Sequence, residues 1–215
     1  MKKLLVLLLL ALLTGCGDAR ETGLLAPVSS AALSRQTDGL QLTAETVFQD
    51  STEGKATPQY LSAEAQTVPN VFRSIANNVG GEFYFSHAQV IVLDEEFARE
   101  GVADLCEYLC DKSEIRLDVR LCVARGVSAE QVLRAWAPNG EVPGFSLSRL
   151  LAQGEKRGTG VDMPLFRLLD DLLAGRDSAL PAVTLGIDKQ AIPAGTALFT
   201  GGKLTGFIEG VPRHA

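Results

Sequence analysis

The chain has 215 residues, 46% hydrophobic and 21% charged, which describes one ordinary globular domain with a sizeable core and excludes both a disordered and a membrane-spanning chain. Formal charge is -6; removing Lys2 and Lys3 with the leader leaves 18 basic residues against 26 acidic ones, or -8. A balance that negative, with no basic stripe, argues against nucleic acid as a partner.

The chain opens as a leader. Lys2 and Lys3 form a positive n-region, residues 4–13 form an apolar stretch too short to span a bilayer, and small residues follow. Leu13-Thr14-Gly15-Cys16 has the form of a bacterial lipobox, in which Cys16 supplies the nucleophilic sulfur that accepts a diacylglyceryl group. That reading is preferred to a plain secretory leader with a chance cysteine. It divides the chain into a signal peptide at 1–15, a polar tether at 16–23, a domain at 24–210 and a tail at 211–215.

Residues 24–33 read as a first strand weakened by Pro27, and Leu40, Leu42, Ala44, Thr46 and Phe48 alternate after a turn at Asp38-Gly39, so a hairpin is predicted. Residues 49–62 are polar and read as a surface loop. Pro69 sits at a first helical turn, and Val71, Phe72, Ile75 and Val79 form an apolar stripe that stops at Gly80-Gly81. His87 precedes the next strand; the spacing predicts a structural histidine whose ring bonds to backbone. The chain carries no G-x-S-x-G, no H-E-x-x-H and no glycine-rich phosphate loop, so no catalytic residue and no cofactor site is assigned.

Val90-Ile91-Val92-Leu93 is fully apolar and β-branched, as a strand covered on both faces would be. Asp94 is the expected cap of a helix that Gly101 interrupts, and Val102, Leu105, Cys106 and Leu109 continue at helical spacing as far as Asp111-Lys112-Ser113. From Ile115 to Val123 a period of two predicts a long strand with Ile115, Leu117, Val119, Leu121 and Val123 in the core and Arg116, Asp118 and Arg120 wet. Cys106, Cys110 and Cys122 lack the second pair that a closed zinc site needs, so they read as small hydrophobes; a disulfide from Cys122 to either of the others stays open.

Ser128 and Gln131 have capping-box form at the start of a helix through Trp136. Phe145, Leu147, Leu150 and Leu151 mark a short helix, residues 153–162 a loop, and Leu165 to Leu173 a leucine-rich helix packed on the core, with Asp170 and Asp171 solvated. Residues 182–187 read as a strand, and residues 196–199 and 204–208 as a hairpin about Gly201-Gly202. The whole is an α+β fold: a mixed β-sheet flanked by helices in a single domain after the signal peptide.

His87, Val90 to Leu93, Glu95, Ala98, Gly101 and Glu114-Ile115-Arg116, in that order, resemble the Ger(x)C family, the lipoprotein C subunits of nutrient germinant receptors in bacterial endospores. Gly195 to Phe199 and Lys203 to Gly206 extend the likeness over nearly all the chain after the leader. Gly17 stands where the family has an aromatic residue, and Ala31-Ala32-Leu33-Ser34 where it has a G-I-D-like turn. Family members continue into further domains of comparable length, whereas this chain ends at Ala215, as a short member or an interrupted gene would.

The resemblance implies a non-enzymatic membrane lipoprotein acting in spore germination. It would be anchored through lipid on Cys16 to the outer face of the cytoplasmic (spore inner) membrane, beside integral A- and B-type receptor subunits. The alternative from another class is an envelope lipoprotein that binds a solute or scaffolds an unrelated complex.

Overall fold

The computed structural model describes residues 25–49, 56–77, 82–112 and 115–212. Leu25–Gln36 (β1) and Gly39–Gln49 (β2) form the predicted antiparallel hairpin, turning over Thr37 and Asp38. Gly39 has φ 144°, and a Cβ there would stand 2.6 Å from the Ala65 carbonyl oxygen, so glycine is required. Ala56–Ala65 (β3) pairs along β2. Residues 56–62 are therefore strand rather than loop: their polar letters and Pro58 are those of an edge strand, with Thr57, Gln59, Ser62 and Glu64 exposed.

Val68–Asn77 (α1) buries Val68, Val71, Phe72 and Ile75, the stripe expected from spacing. Glu82–Tyr84 (β4) runs parallel to the start of β1, and a 3-10 turn at Phe85–His87 leads into Val90–Leu93 (β5), all four residues of which are buried. Asp94 accepts from the Phe97 N–H at 2.8 Å and caps Glu95–Glu100 (α2). Gly101, with φ 134°, breaks it from Ala103–Asp111 (α3).

The long strand predicted from Ile115 is shorter than its alternation suggests. Only Arg120–Ala124 (β6) pairs as strand; Leu117 lies in a turn and is 46% exposed. Nor is β6 wet on one face. It lies between β5 and β7 with a helical layer on each side, so Leu121 and Val123 point into one core and Cys122 and Ala124 into another.

Ser128 and Gln131 make both halves of the capping box and open Ala129–Leu133 (α4), which ends three residues before the exposed Trp136. Pro143–Arg157 (α5) is longer than the short helix expected at 145–151 and takes up the first half of the supposed loop; its chain reverses at Gly158, φ 68°. Leu165–Leu173 (α6) buries Leu165 and Leu168. Ser178–Leu185 (β7) begins four residues before the predicted strand, and Ala191–Thr200 (β8) and Lys203–Ile208 (β9) close the sheet through the glycine turn.

Strand order is β3-β2-β1-β5-β6-β7-β8-β9, with β4 beside the start of β1. The four central strands are parallel and the flanking hairpins antiparallel, so this is the mixed sheet expected of an α+β domain. Helices α1, α2, α3 and α6 cover one face and α4 and α5 the other.

Candidate functional site

Cys16, the one residue assigned a chemical role from the sequence, lies outside the described residues, as do the leader and the tether. Among the described residues no helix is long and apolar enough to cross a membrane, and no three His, Cys, Asp or Glu side chains converge to hold a metal ion.

The other residues singled out do not form one site. His87 is exposed in the 3-10 turn, its ring centroid 5.9 Å from that of Tyr84, and its carbonyl accepts from Gln89 Nε2 at 3.1 Å. Arg116 is exposed and paired with Asp118 at 2.6 Å. Arg120, expected to be wet, is instead half-buried and forks onto Asp162, with Nε 2.7 Å from Oδ1 and Nη2 3.3 Å from Oδ2. Asp170 and Asp171 share Arg176.

Among the described residues, Cys106, Cys110 and Cys122 are free. Cys106 belongs to the core on one face of the sheet and Cys122 to the core on the other, so the sheet itself keeps them from bonding. Cys110, one helical turn after Cys106, is exposed. Burial pushes the Cys106 thiol up to about 12 and also raises that of Cys122. Iodoacetamide at pH 8 is therefore expected to label Cys110 and to reach Cys106 and Cys122 only in denaturant; equal labelling of all three in the native protein would contradict their placement.

Two features emerge only from the fold. The first is Glu45 on β2, fully buried. Its Oε1 accepts from Ser29 Oγ at 2.5 Å, Ser30 Oγ at 3.0 Å and the Gly144 N–H at 3.0 Å, while Oε2 accepts from the Tyr60 hydroxyl at 3.0 Å. Four donors and the positive end of the α5 dipole compensate a carboxylate removed from water. Burial and the neighbouring carboxylate raise the Tyr60 hydroxyl well above its usual range, and the Arg134 guanidinium lies 4.1 Å from the Tyr60 ring centroid. Alternation sets Glu45 opposite the core-facing Leu42 and Ala44 by pattern alone; nothing in the sequence shows that α5 would cover that face.

The second is a cleft of about 430 Å³ between the end of α4, the Pro138–Gly140 turn and α5. Val132, Trp136, Pro138, Leu147 and Leu150 supply apolar walls; Gln190 Oε1 is buried there without a protein partner, and Arg149 pairs with Glu141. The Trp136 backbone N–H donates to the Lys189 carbonyl at 2.9 Å and ties the cleft to the β7–β8 turn. The volume falls in the range of small-molecule sites.

The buried carboxylate holds a helix, and the cleft offers an apolar hollow. The family described as the spore germination protein N-terminal domain matches residues 18–185. The chain belongs to this family. Two Bacillus subtilis (strain 168) proteins are similar to it. "Putative spore germination protein YfkR" is 26% identical over 196 residues, covering 85% of this chain and 49% of the relative. "Spore germination protein KC" is 26% identical over 202 residues, covering 87% and 50%. The chain thus spans about half the length of these curated relatives. No solved structure matches it. For this spore germination N-terminal domain, the matched span includes the Glu45 network and the helices lining the cleft, but ends at the last residue of β7, before the closing β8–β9 hairpin.

Proposed function

We propose that this chain is the membrane-anchored lipoprotein subunit of a spore nutrient germinant receptor, a non-enzymatic assembly component held on the outer face of the spore inner membrane by lipid on Cys16. The observation that carries the reading is the family match over residues 18–185, which begins two residues after the lipobox cysteine. Its partners in this reading are the integral A- and B-type subunits, and the domain acts by presenting a fixed surface to them. Two or more acyl chains on one cysteine, at about 0.8 kcal/mol per buried CH₂, make a stable anchor where one chain is marginal.

Cys16→Ser tests both halves. The variant is expected to leave the membrane fraction or to keep its leader, and spores carrying it to germinate slowly in nutrient. A variant that fractionates with membrane at unchanged mobility would refute the anchor, and normal germination in spores lacking the protein would refute the receptor role.

A second reading, an envelope solute-binding or scaffolding lipoprotein, is favoured by the cleft at Trp136. Adjacent genes for a multi-spanning transporter-like subunit and a larger membrane subunit favour the receptor. Adjacent permease and ATPase genes favour the solute binder.

A further inference from the structure

The register of the parallel strands places every element along one axis. Ser30, Val90 and Arg120 stand side by side across β1, β5 and β6, so Leu25, five residues earlier on β1, marks the end of the sheet at which the chain enters. Leu117, three residues before Arg120, lies at that same end.

Helix α6, on the face it shares with α1, α2 and α3, packs near that end. At its start the Leu165 N–H donates to the Val119 carbonyl at 2.8 Å and the Phe166 N–H to the Leu117 carbonyl at 3.0 Å. Near its finish Leu172 reaches the Gly202 turn, which follows Thr200 at the entry end of β8. The inner side of α6 buries Leu165 and Leu168; its outer side leaves Phe166 48% and Leu173 88% exposed, one on each side of two turns, with Leu117 beside Phe166. The charges beside these side chains are largely paired, Arg116 with Asp118 and Arg176 with Asp170 and Asp171, which lowers the cost of bringing them close to an apolar surface.

We propose that this end, with Leu117, Phe166 and Leu173 foremost, rests on the lipid surface to which Cys16 anchors the chain. The proposal rests on the lipid-anchor reading and adds an orientation to it. Chain length decides between this end and the other exposed apolar patch, Trp136 with Ile187. Eight residues lie between Cys16 and Leu25, a reach of at most about 32 Å. Ile187 follows Leu185, level with about residue 36 of β1, roughly 36 Å further along the strands at 3.3 Å per residue. The tether cannot bring that end to the bilayer while the entry end points away. Apolar side chains entering the headgroup layer from one face of a short helix are the mode of contact of a protein that lies on a membrane without crossing it.

The test uses the lipidated chain reconstituted on dioleoylphosphatidylcholine vesicles containing a dibrominated-acyl phosphatidylcholine, because the native chain has a single tryptophan, Trp136, at the far end. F166W in a Trp136→Phe background is expected to be quenched at least twofold and blue-shifted, and native Trp136 to be unquenched. Adding Leu173→Glu and Leu117→Glu to the F166W chain should relieve the quenching while the protein still floats with the vesicles and keeps its circular dichroism. Unquenched F166W on floating protein, or quenched Trp136, would overturn the orientation alone. Lipidated F166W protein that does not float with the vesicles would overturn the anchor.

Discussion

Leu121→Asp is expected to leave no cooperatively folded protein at 25 °C, whereas Leu117→Asp, four residues earlier in the same alternating run, should shift the melting temperature by only a few degrees. Leu121 is fully buried on β6, between two parallel strands and beneath the helices of one face. A carboxylate there has no cation and no donor, and its cost of several kcal/mol is a large part of a total stability of roughly 5 to 15 kcal/mol. Leu117 contributes chiefly its backbone, whose carbonyl accepts from the Phe166 N–H, and a substitution of its exposed side chain leaves that bond intact. Circular dichroism and thermal melting of the two variants check this. Equal destabilisation would mean that the boundary of β6 is misplaced.

Glu45→Ala should cost about 3 kcal/mol or more, because it leaves the Ser30 hydroxyl and a helix N–H buried with no acceptor and takes one acceptor from the half-buried Tyr60 hydroxyl, while the Ser29 hydroxyl keeps only the carbonyl of residue 45. Gly144→Ala attacks the same junction from the helix side. Its Cβ would stand 2.6 Å from Glu45 Oε1 and 2.7 Å from Ser30 Cβ, and rotating the serine cannot relieve the second contact. The first turn of α5 must then lift from the sheet, at about 1 to 3 kcal/mol. Since both changes break one network, the double variant should lose clearly less than the sum of the singles. Urea titration of the four proteins measures the coupling, and strict additivity would show that Glu45 does not hold α5. A lifted α5 should also widen the Trp136 cleft, which α5 lines, and shift Trp136 emission.

Local chemistry was legible wherever the signal lay within a few residues. The Asp94 cap, the break at Gly101, the Ser128–Gln131 box and the hairpin about Gly201-Gly202 each depend on side chains and backbone groups close in sequence, and each formed as read. The failures have one physical cause. A period of two reports which side chains alternate, not what covers either face, so the run from Ile115 to Val123 concealed an exposed Leu117, a half-buried Arg120 and a buried Cys122. Residues 56–62 were polar enough for a loop because an edge strand is also wet on much of its surface.

Residue order alone carries the mixed α+β class, the family, and the lipobox from which the anchor is proposed, because repeated spacing and contiguous motifs are local. The rest follows from packing. Glu45 and Gly144 are 99 residues apart and meet because the first turn of α5 packs over β1 and β2; Leu117 and Phe166 become one surface because the start of α6 returns to the residues that precede β6. Neither meeting has a local signature, since each is fixed by how the sheet orders its strands and where a helix crosses them.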